Sequence, residues 1–286
     1  MPVLEVRKTY KLYLGGEFVR SESGRYDEAK DGKGRHQANV PRGSRKDIRD
    51  AVVKARAAQE KWAGTSGYLR GQILYRMAEM LESRASSFEL LLRSTGSTPA
   101  AAKREVRASI DRIVHYAGWT DKYQALLSSV NPVASSYFDF SLPEPMGVVG
   151  LTAPERPALL GLISHLLPAI LSGNTVIAIL SEAAPIPALE WAEVLATSDL
   201  PGGVVNLISG RKDELVPHLA RHMDVNALAL AGLPRELEIA ARQDAAVNVK
   251  RTPTTAIADY FADAAQNLDL IRAFLEIKTT WHPVGW

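Results

Sequence analysis

The spacing of apolar residues changes twice along this chain, and each change marks a new kind of structure. From Ser44 onward, Ile48, Ala51, Val52, Ala55 and Trp62 recur at steps that place them on one face of a helix. Ser44 followed by Asp47 three residues later is a start signal of the capping-box kind. Leu69, Ile73, Met77, Met80 and Leu81 predict a second helix, and helical patterning continues through Phe88 to Leu92 and from Glu105 to Leu126. The methionines and aromatic residues on these faces read as core. Ahead of the helices, Lys11 to Val19 sets two short strand-like pieces around Gly15-Gly16, a hairpin signal. Lys30 to Lys46 carries Lys33, Arg35, Arg42 and Arg45 among Gly32, Gly34, Pro41 and Gly43, and reads as a solvated loop.

Near Leu127 the period becomes two. In Ser135 to Leu142, Phe138, Phe140 and Leu142 alternate with Tyr137, Asp139 and Ser141, predicting an amphipathic strand bounded by Pro132 and Pro143. A second such strand spans Phe274 to Trp281, with Leu275, Ile277, Thr279 and Trp281 on one face and Glu276, Lys278 and Thr280 on the other. Two amphipathic strands so far apart in sequence are expected to pair as a projecting flap.

Between them the chain alternates. Gly147 to Thr152, Thr175 to Leu180, Gly203 to Ile208 and Val225 to Leu230 are short apolar strands, and Ala245 to Val249 is a candidate fifth. Helices are predicted for Ala158 to Leu171, Pro185 to Ala196, Asp213 to His222 and Pro234 to Arg242. Strands apolar on both faces, joined through helices, imply an α/β fold: a Rossmann-like, doubly wound parallel sheet. The expected division is a nucleotide-binding-fold body over residues 1–128 and 144–271, with a β-flap arm over 129–143 and 272–286.

The chain has 286 residues, enough for one large α/β domain or two modest ones, and its 46% hydrophobic and 23% charged residues are ordinary for a globular protein. A net charge of +2 gives no basis for nucleic-acid binding. Met1 to Lys11 lacks a signal-peptide apolar core and no run is long enough to span a bilayer, so a cytoplasmic location is expected by default. There is no cysteine, which excludes disulfides, thiolate metal sites and a cysteine nucleophile. No glycine-rich dinucleotide fingerprint, phosphate-binding P-loop or nucleophile elbow occurs. His218 and His222 have a spacing that can share a metal, but no third ligand accompanies them, and solvated or capping histidines are the plainer reading. His165, within an apolar helix, is expected to be a hydrogen-bonded core or interface residue. Glu155-Arg156 follows a strand end, where such sheets bind ligands, and fits either an exposed ion pair or an anion contact at a helix start.

Many short motifs in the right order resemble the aldehyde dehydrogenase family. They include Glu144-Pro145-Met146-Gly147-Val148-Val149-Gly150, Leu167-Pro168-Ala169, Gly173-Asn174-Thr175-Val176 and Leu200-Pro201-Gly202-Gly203-Val204-Val205-Asn206. Upstream, Thr95-Gly96 and Ala117-Gly118-Trp119 fit the helical N-terminal part. The resemblance covers residues 10–232 and resumes at Phe274 to Gly285.

The departures from that family decide the functional expectation. The resemblance implies a catalytic cysteine, absent here. After Pro154 it implies tryptophan and an oxyanion-hole asparagine; Glu155 and Arg156 stand there instead. Ile179 replaces the lysine that would hold the adenosine ribose, and Leu180 the following proline; Glu182 alone remains of that motif. The motif beneath the pyrophosphate becomes Gly232-Leu233-Pro234, its second glycine becomes Leu237, and beyond Gly210 stand Arg211, Lys212, Asp213 and Glu214. Gly232 to Ala273 is 42 residues, counting both ends, where the family places a whole catalytic domain; ordinary domains need roughly 50 or more. The catalytic domain is therefore expected to be absent.

The ending Leu275 to Trp286 and the opening Tyr10 to Gly16 are most similar to the C-terminal, non-catalytic domain of the two-domain sixteenth-class aldehyde dehydrogenases, here starting at Met1 as though a separate chain. The resemblance implies a pseudoenzyme: no catalytic residue, no metal, no cofactor, and a vestigial groove of Pro154, Glu155, Arg156, Ile179, Glu182, Gly210 and Gly232. Its expected partners are further copies or a full-length aldehyde dehydrogenase, reached through Tyr137, Phe138, Phe140, Leu275, Ile277 and Trp281, with neither nucleic acid nor membrane. Two alternatives stand beside it. One is an NAD-dependent oxidoreductase that re-employs Glu155 and Arg156. The other is a homo-oligomer holding an unrelated ligand in the old cofactor groove.

Overall fold

The computed structural model describes residues 7–285; the first six positions of the Met1–Lys11 stretch and Trp286 of the C-terminal motif lie outside it. The chain opens with two hairpins, β1 (Leu12–Leu14) with β2 (Glu17–Val19) and β3 (Tyr26–Lys30) with β4 (His36–Pro41). The helices α1 (Arg45–Ala63), α2 (Gly67–Ser83), α3 (Ala85–Ser94), α4 (Pro99–Ala117) and α5 (Tyr123–Leu127) follow. Next come β5 (Ser129–Asn131), β6 (Tyr137–Pro145), β7 (Val148–Thr152), α6 (Ala158–Leu171), β8 (Thr175–Ile179), α7 (Pro185–Ala196), β9 (Val205–Ile208), α8 (Lys212–Arg221), β10 (Ala227–Leu230) and α9 (Arg235–Ala246). The chain closes with α10 (Leu268–Arg272) and β11 (Leu275–Pro283).

The central sheet has the order β10-β7-β8-β9-β1-β2. Its four βα strands are parallel, as expected, but the N-terminal hairpin completes the edge, β1 running antiparallel to β9. The sheet is therefore mixed. The helices α1, α8 and α9 cover one face around Ile48, Val52, Ile177 and Leu219. The other face packs on α6 and α7, with α2 to α4 outside them. Strand order reverses between β7 and β10, which places a ligand crevice, if one exists, beyond Thr152 and Leu230.

Several expectations need correction. Lys30 to Lys46 is not one solvated loop: Ala38 and Val40 of β4 are buried against the helices, and a short alternating strand was hidden beneath the basic residues. The helix expected from Glu105 begins at Pro99, capped by Thr98, and ends at Ala117; only a short helix follows. Ala245 to Val249 is no strand. It closes α9, and the chain touches the sheet in a single bridge at Arg251 and Ala227. The expected start of α1 is present: Ser44 Oγ accepts from the Asp47 amide and Asp47 accepts from the Ser44 amide.

The flap has three strands, β11-β6-β5. β6 runs through Pro143 to Pro145 because it extends past β5 there and has one neighbour only, where a missing N–H removes no ladder bond. Asn174 ties flap to sheet: its Oδ1 accepts from Gly147 N at 2.8 Å, and its Nδ2 donates to Phe274 O at 2.9 Å. Among the described residues no helix is long and apolar enough to cross a membrane.

Candidate functional site: a filled strand-end crevice and an open flap

At the switch point, the loops after β7 and β10 are in contact. Gly232 adopts a φ of +62°, and a Cβ there would lie 2.7 Å from Pro154 Cα. This close approach needs glycine. Into the same place reaches Lys212, from the first turn of α8. Its side chain is 3% exposed, and its Nζ donates to Ala153 O at 2.7 Å and Gly232 O at 3.3 Å and pairs with Glu155. Glu155 also accepts from Ser181 Oγ at 2.8 Å and Ala183 N at 2.9 Å. Burial pushes the Glu155 carboxyl up, but the bonds and charge of Lys212 and the two further donors outweigh it, leaving the group below the usual carboxylate range.

Glu155 thus belongs to an internal pair and not to an ion pair with Arg156. Arg156 is exposed and donates to Thr95 O at 3.2 Å. Ile179 is fully buried in the sheet core. The Glu182 carboxylate accepts from the Lys212 amide at 2.7 Å and so caps α8. Gly210 packs against the backbone of Gly43. The structure brings Pro154, Glu155, Glu182 and Gly232 together around Lys212; Gly210 lines a neighbouring pocket with Glu182, Ile179 is reached only through its main chain, and Arg156 turns away to Thr95. What remains open beside the pair is a cleft of about 580 Å³ lined by Glu155, Glu182 and Asp213, by Arg211 and Lys212, and by Gly232 and Pro234.

A dinucleotide pyrophosphate does not fit this arrangement. Pro234 takes the N-cap of α9 and has no N–H to give, while Glu236 and Glu238 set negative charge in the first turn, where an anion would need donors. The start of α6 is also taken. Glu105, buried on α4, accepts from the amides of Leu159 and Leu160 at 2.9 and 3.3 Å. Burial raises its pKa against the lowering effect of those amides and Arg156.

Two residues missed in the sequence carry much of this region. Glu105 and Arg112 lie on the buried stripe of α4 with Ala102, Val106, Ser109, Ile113 and Tyr116. Charges in register with an apolar stripe were the available signal. Arg112 donates to Ser164 Oγ, Ala265 O, Tyr260 O and Gln266 Oε1 at 2.5 to 3.0 Å, clamping the segment after α9 onto α4 and α6. Within that contact His165 Nε2 bonds Tyr260 Oη at 2.8 Å, so His165 is a hydrogen-bonded core histidine as expected. His218 and His222 gain no third ligand: no group of three potential metal ligands occurs among the described residues.

The flap residues divide between two faces, since directly opposed residues share one. Trp281 faces Asp139, Thr279 faces Ser141 and Ile277 faces Pro143, so Ile277 and Trp281 join Tyr137. Phe138, Phe140 and Leu142 lie on the opposite face with Val130. The exposed apolar residues of the flap therefore lie on two faces. Trp281 is 56% and Ile277 53% exposed, whereas Leu275, at 7%, is core and is not available to a partner. β11 pairs with β6 alone, so its outer edge has no strand beside it among the described residues.

The description "Aldehyde dehydrogenase family" matches residues 18–254. The chain is 32% identical over 238 residues to aldehyde dehydrogenase family 2 member B4, mitochondrial, of Arabidopsis thaliana, covering 81% of this chain and 43% of that protein. It is 28% identical to omega-crystallin of Enteroctopus dofleini, covering 85% and 50%. Among solved structures it resembles the NAD+ complex of aldehyde dehydrogenase from Bacillus cereus, with TM-score 0.81 and 25% identity, covering 86% of this chain and 50% of that one. The chain thus spans half or less of the length of these relatives.

Proposed function

This chain belongs to the aldehyde dehydrogenase family, and we propose that it acts there as a non-catalytic subunit that works by association with a complete aldehyde dehydrogenase. The observation that carries this reading is the flap. Three strands expose Tyr137, Phe138, Leu142, Ile277 and Trp281, and β11 offers a nine-residue open edge. An exposed edge beside apolar side chains invites strand addition by another chain. The filled crevice and the lack of cysteine support the non-catalytic half of the reading. The finer assignment, to the non-catalytic domain of the two-domain sixteenth class, belongs to the same proposal, as do the division into body and arm and a cytoplasmic location.

Sedimentation velocity of the protein alone, and mixed with a complete aldehyde dehydrogenase from the same source, is the test. The expected result is a mixed species that sediments faster than either component. Unchanged separate boundaries at every ratio would overturn the proposal.

A further inference from the structure

On the opposite side of the sheet from α6, the start of α1 and the end of α8 enclose a cleft of about 520 Å³, a size usual for small-molecule sites. Arg45, Arg49, His218 and Arg221 line it, with Ile48 and Met223 as its apolar wall. The cations are close enough to act on one another: after burial, the charges of Arg45 and Arg221 are what hold the His218 imidazole below its ordinary pKa. His222 also lines the cleft, lowered first by burial and then by Lys250, against the charge of Asp224.

Acidic groups balance this cluster only in part. Arg49 pairs with Asp50 at 3.2 Å and Arg221 with Asp244 at 3.0 Å, but Arg45 has no ion pair among the described residues. The α8 cations sit at a helix C-terminus, where the dipole favours them. Those of α1 do not. Arg45 and Arg49 occupy the N-terminal turns, where positive charge is disfavoured, and lie four residues apart, where like charges repel. Asp47 in the first turn and Asp50 beside Arg49 offset part of this, but Arg45 faces a cleft with further cations across it and an anion there would complete the balance.

We propose that this cleft binds a phosphomonoester with an apolar body, its phosphoryl group between Arg45, Arg49 and His218 and its body against Ile48 and Met223. Guanidinium groups hold phosphate through paired, charge-assisted hydrogen bonds. The exposed Met223 side chain supplies an adaptable apolar surface. The site shares no lining residue with the switch-point crevice and does not depend on the subunit reading.

The probes are inorganic phosphate and phenyl phosphate, titrated into the intact protein at pH 7 and constant ionic strength, with chloride as control. The readout is the ring signals of the six histidines, of which His218→Gln and His222→Gln identify two. Saturable shifts of the His218 and His222 signals alone are expected, with phenyl phosphate binding several-fold tighter than phosphate. Arg45→Gln, at an exposed position, should weaken both by about tenfold without lowering the melting temperature. Shifts no larger than chloride produces, equal affinity for the two probes, or affinities unaltered by Arg45→Gln would each overturn the proposal.

Discussion

Lys212 Nζ lies 2.7 Å from the main-chain oxygen of Ala153, so a lysine ammonium occupies the end of the strand where a doubly wound sheet offers its ligand crevice. The ammonium depends on Glu155 for its charge partner. Removing that partner leaves a cation 3% exposed with only carbonyl acceptors. Glu155→Gln should therefore destabilise the protein. Glu155 is 38% exposed, so the cost is below that of a fully buried pair; about 1–2 kcal/mol is expected. Urea denaturation at pH 7 measures it, and an unchanged midpoint would show that the pair contributes nothing.

The same filling predicts how the protein meets NAD. Isothermal titration should detect no binding in the low micromolar range, a free energy of about −8 kcal/mol. Aldehyde-dependent reduction of NAD or NADP should also be absent, since acyl transfer needs an activated nucleophile and there is no cysteine to provide one. Turnover that vanished in Arg156→Ala would refute this and restore Arg156 to a catalytic role.

Arg112 fastens the segment that follows α9. Lysine in its place keeps the charge but cannot reach four acceptors on Ser164, Tyr260, Ala265 and Gln266. With two or more buried bonds lost, Arg112→Lys should cost about 2–3 kcal/mol. Limited proteolysis should then cut first between Thr252 and Asn267. Cleavage elsewhere, with this stretch still protected, would mean that other contacts hold it.

The parallel strands were legible because burial on both faces leaves uninterrupted apolar runs such as Thr175 to Ile179, fully buried in the fold. The helix starts at Ser44 and Pro185 were legible from local chemistry alone. β4 was not, since only Ala38 and Val40 mark its buried side and basic residues flank it. Nor was the two-faced flap: alternation within β6 and within β11 was visible, but which faces coincide depends on the register Thr279 to Ser141, a pairing between distant segments. Of the crevice, the substitutions at Glu155, Ile179 and Pro234 could be read, whereas the reach of Lys212 across to Ala153 is a tertiary contact that spacing does not encode.

His165 should make stability depend on pH. Burial, and then the charge of Arg112, lower its pKa to about 4. The unfolded chain binds a proton on this group at about pH 6.5, so acid favours unfolding from there down towards pH 4. The full effect is roughly 3 kcal/mol. Glu105, raised by burial, contributes with opposite sign on acidification. His115, His218 and His222, also lowered chiefly by burial, act in the same direction as His165. Comparing urea midpoints at pH 7 and pH 5 for the parent and His165→Gln isolates the buried group. The variant should lose less stability on acidification, and an identical loss would assign the effect to the other histidines.

The two faces of the flap allow the proposed association to be dissected. Trp281 and Ile277 share one face with Tyr137, whose ring meets that of Trp281 edge-on at 5.8 Å. Phe138 and Leu142 lie on the other, with Phe138 and Phe140 rings 5.5 Å apart. All four side chains chosen for substitution are about half exposed, so charges placed there disturb the fold little. A three-stranded flap with exposed apolar side chains on both sides is poorly suited to water, and covering one side still leaves the other wet. Ile277→Glu with Trp281→Glu should abolish contact on the first face, and Phe138→Glu with Leu142→Glu contact on the second. If both faces are covered in the working assembly, each double variant should yield a smaller complex than the parent, and the two together a monomer. Sedimentation equilibrium reads these masses directly. Should one pair of substitutions leave the mass unchanged, association uses a single face; should neither change it, the flap is not the docking element.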